Sequence, residues 1–96
     1  MFKNVTFQRN VIFVVKEGGA KLEGVEINVN FNPSIGVTDS NGEVKSSFDL
    51  TQKLDYAASK ANYVIVTGST IVKDNDGNDN VVNIILEAVC YYLTYF

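Results

Sequence analysis

The chain has no histidine and no tryptophan, and it contains one cysteine and one proline in 96 residues. Histidine is the commonest general base and metal ligand of proteins, and the sequence offers no pairing of a nucleophile with another base. We therefore expect no enzymatic activity, no catalytic residue, and no cofactor or metal. The one cysteine, Cys90, has no partner for a disulfide within the chain, and its apolar neighbours indicate a small buried hydrophobic residue.

Charge is also scarce, at 20% of residues with a net charge of −3. No basic stripe is visible in the sequence, so a nucleic-acid partner is not expected. No segment approaches the roughly 20 apolar residues of a membrane span, and the first ten residues lack the apolar core of a signal peptide. The sequence thus predicts one domain, residues 1–96, made in a cytoplasm without a membrane partner. Its eleven asparagines supply an uncharged polar surface that suits protein contacts.

What the chain does have is a repeated β pattern. The pattern is clearest in a stretch of four apolar residues separated by polar ones: Val25, Ile27, Val29 and Phe31. This period of two describes a strand with one buried face. Further strands are predicted over residues 11–15, 35–38, 43–50, 54–58 and 63–67, the last followed by Gly68. Residues 69–73 continue extended or form another strand, and residues 81–96 are the last strand and tail. Strands at roughly 8–12-residue intervals, with turn signals between them, indicate a β-sandwich.

Turn-forming residues separate these strands. Gly18 and Gly19 can adopt positive φ in the first loop. Asp39-Ser40-Asn41-Gly42 is predicted to be a hairpin turn because Asn-Gly is a strong hairpin signal. Within this turn we interpret Asp39 as a cap and Thr38 as a partner for a strand end, and neither residue as catalytic.

The order of these features resembles a known family. The quoted segments are Val14-Val15-Lys16-Glu17-Gly18-Gly19, Leu22-Glu23-Gly24-Val25, Gly36-Val37-Thr38-Asp39 followed by Gly42, Tyr56-Ala57-Ala58 with Tyr63, and Val82-Asn83-Ile84-Ile85-Leu86. Residues 11–87 are thereby similar to the transthyretin-like sandwiches called carboxypeptidase regulatory-like and Cna-B-type domains. The chain departs from that pattern at Asn62, where glycine is usual, and at Glu17, where aspartate is frequent. The resemblance implies an antiparallel, seven-stranded, immunoglobulin-like β-sandwich, and it implies no particular activity.

The acidic loop at residues 74–80 has two interpretations. Asp74, Asp76 and Asp79 lie around Gly77 and could supply oxygen ligands to calcium. Their spacing does not match the EF-hand loop, however. The alternative is a solvated loop whose side chains bond their own backbone, and we adopt it because no known calcium cage has this spacing.

The C-terminal stretch is too long for a strand of this domain. Sixteen residues, 81–96, would span about 50 Å as one strand, against about 20–25 Å for the others. Residues 88–96 form an apolar extension beyond the predicted core at 11–87. Its candidate protein-binding residues are Tyr91, Tyr92, Leu93, Tyr95 and Phe96. Either this extension pairs with the N-terminal residues Phe2, Val5 and Phe7, or it binds a partner by strand addition, in a homo-oligomer or a larger assembly.

These observations favour a non-enzymatic structural protein. A free-standing domain of this kind, without an export signal, is similar to the small immunoglobulin-like decoration proteins of tailed-phage heads, which would place it in the virion, bound to a capsid protein. The alternatives are a carbohydrate- or cell-surface-binding module and an accessory domain of a bacterial surface or periplasmic protein.

Overall fold

A computed structural model describes residues 7–30 and 34–89 and confirms the all-β class. This part of the chain contains one short 3₁₀-helix, Asn75–Gly77, and eight strands, whereas the sequence predicts seven. The strands are β1 Gln8–Glu17, β2 Ala20–Lys21, β3 Glu26–Val29, β4 Ser34–Val37, β5 Glu43–Asp49, β6 Lys53–Ser59, β7 Val66–Ile71 and β8 Asn80–Ile85.

The strands form two four-stranded sheets. In sheet one, β1 lies between β8 on one edge and β5 with the short β2 on the other. Sheet two has the order β4-β3-β6-β7. Every pairing is antiparallel except that of β1 with β8, which is parallel, so the prediction of a purely antiparallel fold is wrong at this pair. The chain passes through sheet two between β1 and β8, and such a long connection permits a parallel pairing that a tight hairpin forbids.

The two sheets pack face to face in a β-sandwich-like arrangement. Val11, Phe13 and Val15 alternate along β1 and are fully buried, as the apolar sequence predicts. They share one core with side chains of both sheets, namely Val44, Val82 and Ile84 from sheet one and Ile27, Val29, Leu54 and Ala58 from sheet two. Each large apolar side chain buried here contributes about 1.5–3 kcal/mol relative to exposure.

The Thr38–Asp39 turn joins the sheets. The buried Thr38 hydroxyl accepts the Val25 N–H at 2.9 Å and donates to the Leu22 carbonyl at 2.7 Å, while Asp39 Oδ1 accepts the N–H groups of Asn41 and Glu43. These capping roles are confirmed. The predicted hairpin is wrong, because β4 pairs with β3 and β5 pairs with β1. Local sequence specifies the turn, whereas the strand partners are chosen by the faces that each strand buries.

Strand β7 begins later than predicted and runs through Gly68. The aromatic ring of Tyr56, on the neighbouring strand, covers this glycine so closely that a Cβ atom there would lie 2.6 Å from Tyr56 Cζ. The Tyr56 ring packs in turn on Phe13, with 5.6 Å between the ring centroids. Gly68 therefore makes room for an aromatic side chain within the sheet instead of ending a strand.

Strand β8 ends at Ile85, and residues 86–89 lie outside it. Leu86 is fully buried, and its N–H donates to the Lys16 carbonyl at 3.0 Å. The chain then turns toward the loop between β6 and β7, where Ala88 forms an isolated bridge with Tyr63. Leu86 thus continues the alternation of buried side chains along β8, and the chain leaves sheet one after it.

Candidate functional site

The five predicted protein-binding residues, Tyr91, Tyr92, Leu93, Tyr95 and Phe96, lie outside the described residues. The structure does define the place from which they extend, which we call the tail root and which comprises residues 86–89. The candidate site consists of this tail root and the exposed side chains around it.

The tail root is fixed to the segment that precedes β7. Glu87 accepts the Val64 N–H at 2.9 Å through its carbonyl, and the Val89 N–H donates to the Asn62 carbonyl at 2.8 Å. Asn62 has a φ of 72°, a left-handed conformation that asparagine tolerates better than most residues. The last described residue, Val89, is therefore held at a defined point beside the β6–β7 loop.

A side-chain hydrogen bond ties this loop to the end of β1. The Tyr63 hydroxyl donates to Glu17 Oε1 at 2.8 Å. This hydrogen bond raises the pKa of Tyr63 above its ordinary value of 10.0, and desolvation and the negative charge of Glu17 act in the same direction. The neutral phenol therefore holds the tail root against sheet one at physiological pH.

An apolar surface lies next to the tail root. Val37 is 55% exposed and Ile65 is 62% exposed, and both line a shallow hollow of about 560 Å³ together with Tyr63. Glu26 and Lys60 also line it and supply charge of both signs. We call Val37, Tyr63 and Ile65 the root surface. An apolar centre with charged residues beside it is the usual anatomy of a protein interface.

Sequence reasoning missed the root surface. Residues 63–67 read as a buried strand because Val64, Ile65 and Val66 are all β-formers. In the structure Val64 and Ile65 lie outside any strand, and both are exposed. Only the contact of Tyr63 with Ala88, from a distant part of the chain, sets this segment apart, and the local sequence contains no signal for it.

The acidic loop binds cationic and amide side chains of sheet one. Arg9 donates to Asp74 through Nε and Nη2. Asp79 accepts a hydrogen bond from Asn10 Nδ2 at 3.2 Å, and its other oxygen lies 3.7 Å from Lys45 Nζ. Within residues 7–30 and 34–89, no group of three potential metal-ligating side chains comes together. A calcium ion would have to displace the partners of two of these aspartates.

A second hollow, of about 550 Å³, lies on sheet two. The side chains that line it include Asn28, Asp55, Thr67 and Ser69, next to the methyl group of Ala57. Strand alternation directs these side chains away from the core. The set combines an amide, a carboxylate and two hydroxyl groups.

Comparison of the sequence with protein-family models and with curated proteins found no match. In the part of the chain that the structure describes, no helix has the length and apolar character needed to cross a bilayer.

Proposed function

We propose that this chain is a non-enzymatic structural protein that binds a larger protein assembly through its C-terminal end. The observation that carries the proposal is the position of the tail root, where Val89 is held beside the exposed apolar root surface. The seven residues that follow include three tyrosines and a phenylalanine. Aromatic side chains dominate the binding energy of protein interfaces when they enter an apolar pocket. The root surface and the C-terminal segment would together form one docking site.

The assembly we propose is the outer surface of a tailed-phage capsid, so that the protein would reside in the virion. Support comes from the motif similarity to small immunoglobulin-like domains, which includes the Thr38–Asp39 turn between the sheets. The finer fold assignment, an immunoglobulin-like sandwich of the transthyretin-like type, belongs to the same proposal. Under this proposal the partner is a capsid protein, and the chain has no catalytic, nucleic-acid or membrane role.

The direction of β8 supports binding to a partner over pairing of the two chain ends. Because β1 and β8 run parallel, Phe7 and Ile85 lie at opposite ends of sheet one. About nine residues of β1 separate these ends, or roughly 30 Å. A segment that follows β8 would therefore have to run back along the length of sheet one before it could pair with a segment that precedes β1.

The proposal requires a tailed phage that encodes this chain, and co-sedimentation with the expanded heads of that phage tests it. Ile65→Asp should lose binding, because it replaces the most exposed apolar side chain of the root surface with a charge. Ile71→Asp is the matched control, since Ile71 is 54% exposed but belongs to the far end of β7. Equal binding by both variants, or glycan binding without head binding, would overturn the proposal.

The second hollow favours a carbohydrate as an alternative ligand. Hydroxyl, amide and carboxylate groups are the polar partners that sugar hydroxyls require, and Asn28, Asp55, Thr67 and Ser69 supply them on one face. Glycan-array binding that is lost in Asp55→Ala and retained in Ile65→Asp would establish this function in place of capsid docking.

A further inference from the structure

Strand β8 leaves one edge unpaired among the described residues. β1 occupies its other edge over Asn80–Ile85. The Leu86 N–H donates to the Lys16 carbonyl, which shows that the even-numbered residues direct their backbone groups toward β1. Since neighbouring residues of a strand direct these groups to opposite edges, the N–H and C=O groups of Val81, Asn83 and Ile85 point toward the open edge.

This edge has none of the usual protection against pairing. Residues 80–86 carry no charge, proline or glycine. Val81 is 56% exposed and Ile85 is 67% exposed, on the outer face of sheet one. Natural edge strands are instead blunted by charges, bulges or shortness.

The other outer strands of the described domain do carry such features. Strand β5 has three charged residues, Glu43, Lys45 and Asp49. The pairing of β4 with β3 is irregular at Ile27/Asn28, and β4 has only four residues. Strand β7 also lacks charge and exposes Ile71, but Gly68 weakens it and its other outward side chains are threonine and serine. Strand β8 is therefore the edge best suited to accept another strand.

We propose that β8 pairs with β8 of a second copy of this chain, antiparallel and about a two-fold axis at Asn83. In this register Asn83 faces Asn83 of the second copy, and Val81 faces Ile85. All three residues with outward-pointing backbone groups are then used, which gives six interchain N–H···O bonds. If one β8 strand is shifted by two residues along the other, one of the three hydrogen-bonded residue pairs is lost. If it is shifted by one residue, the residues that point to the open edge face residues whose N–H and C=O groups already bond to β1.

The same register is complementary in its side chains. Apolar Val81 meets apolar Ile85, amide meets amide at Asn83, and no like charges meet along the strand. Each half of the contact is the same patch, as a two-fold interface requires. A six-residue edge buries less than the roughly 800 Å² per partner of a standard interface, so the dimer is expected to be reversible. The inference does not depend on capsid binding.

Single cysteines in a Cys90→Ser background test both the edge and the register. Asn83→Cys should form a covalent dimer under mild oxidation, because Cα atoms of a hydrogen-bonded pair lie about 5.5 Å apart, a distance that a disulfide spans. Val81→Cys is the matched control: its two copies would be offset by four residues, about 14 Å, and should remain monomeric. A mixture of Val81→Cys and Ile85→Cys should form the mixed disulfide.

The expected result is dimer formation by Asn83→Cys at least about tenfold faster than by Val81→Cys, and slowed when Ile85→Lys is added beside the cysteine. Circular dichroism of each variant verifies that the fold is retained. Equal cross-linking rates at residues 81 and 83 would overturn the proposal. So would a full-length chain that sediments as a monomer and dimerises only after residues 90–96 are removed, because the chain's own C-terminal segment would then cover the edge. Head binding by a variant that does not dimerise would leave the capsid proposal intact.

Discussion

Replacing Gly68 with alanine should destabilise the protein, although Gly68 lies within a strand, where alanine ordinarily costs nothing. Removing the freedom of a glycine from the unfolded chain stabilises a protein by about 0.4–1 kcal/mol at a compatible site. Here, however, the new Cβ would lie 2.4 Å from the Tyr56 hydroxyl oxygen and 2.6 Å from Cζ. The rigid ring would have to move, and it packs on Phe13. Overpacking of this kind costs about 1–3 kcal/mol, so the midpoints of the two ranges leave a net loss of about 1.3 kcal/mol.

Urea unfolding, followed by circular dichroism, measures this loss. For a domain of this size, 1 kcal/mol corresponds to about 4–8 °C in melting temperature, so the effect is well within reach of a thermal scan. The Gly68→Ala change should cost much less in a Tyr56→Leu background, because the ring that it meets is gone. Ser69→Ala, on the exposed face of the same strand, serves as the control and should change stability by less than about 0.5 kcal/mol. A neutral or stabilising Gly68→Ala in the presence of Tyr56 would refute the reasoning.

Three further predictions follow from the hydrogen bonds and ion pairs. Thr38→Val should cost about 2–3 kcal/mol in urea unfolding, because it leaves the buried Val25 N–H and the partly buried Leu22 carbonyl without their partner. Thr38→Ser should retain most of the stability, and equal losses in the two variants would contradict this role for the hydroxyl. The raised pKa of Tyr63 makes the neutral phenol the form that folding favours, so its contribution is complete below pH 10, the ordinary pKa, and is lost as pH rises through the raised value. Tyr63→Phe and Glu17→Gln should both remove this alkaline dependence of the unfolding midpoint, and its persistence in either variant would contradict the assignment. Calcium and chelator should leave the melting temperature unchanged, because Asp74 and Asp79 already bind cationic partners; a clear rise with calcium would contradict that account of the acidic loop.

The sequence is informative wherever a strand buries one face. Alternation in β3, β5 and β6 correctly predicts which side chains face the core, because a one-residue slip would expose every apolar residue of the strand. Positive φ at Gly18 and Gly19 follows from the same local chemistry, since a two-residue hairpin loop of this twist requires it. These features depend on neighbours in sequence and can be predicted from it.

Features that depend on distant contacts could not be predicted in this way. The start of β7 is set by the bridge between Tyr63 and Ala88, and Gly68 continues the strand because the Tyr56 ring covers it. Composition alone predicts that the apolar C-terminal segment is a docking candidate. The root surface depends on contacts between residues far apart in the sequence, so only the fold shows it.

The most direct test of assembly binding is the affinity of the full chain for expanded phage heads, compared with that of a chain ending at Val89. We predict that the shorter chain keeps its urea midpoint, because the tail root remains hydrogen-bonded to Asn62 and Val64, and that it no longer sediments with the heads. Undiminished binding by the shorter chain, or loss of its folding, would contradict the assignment of the C-terminal segment as the docking element.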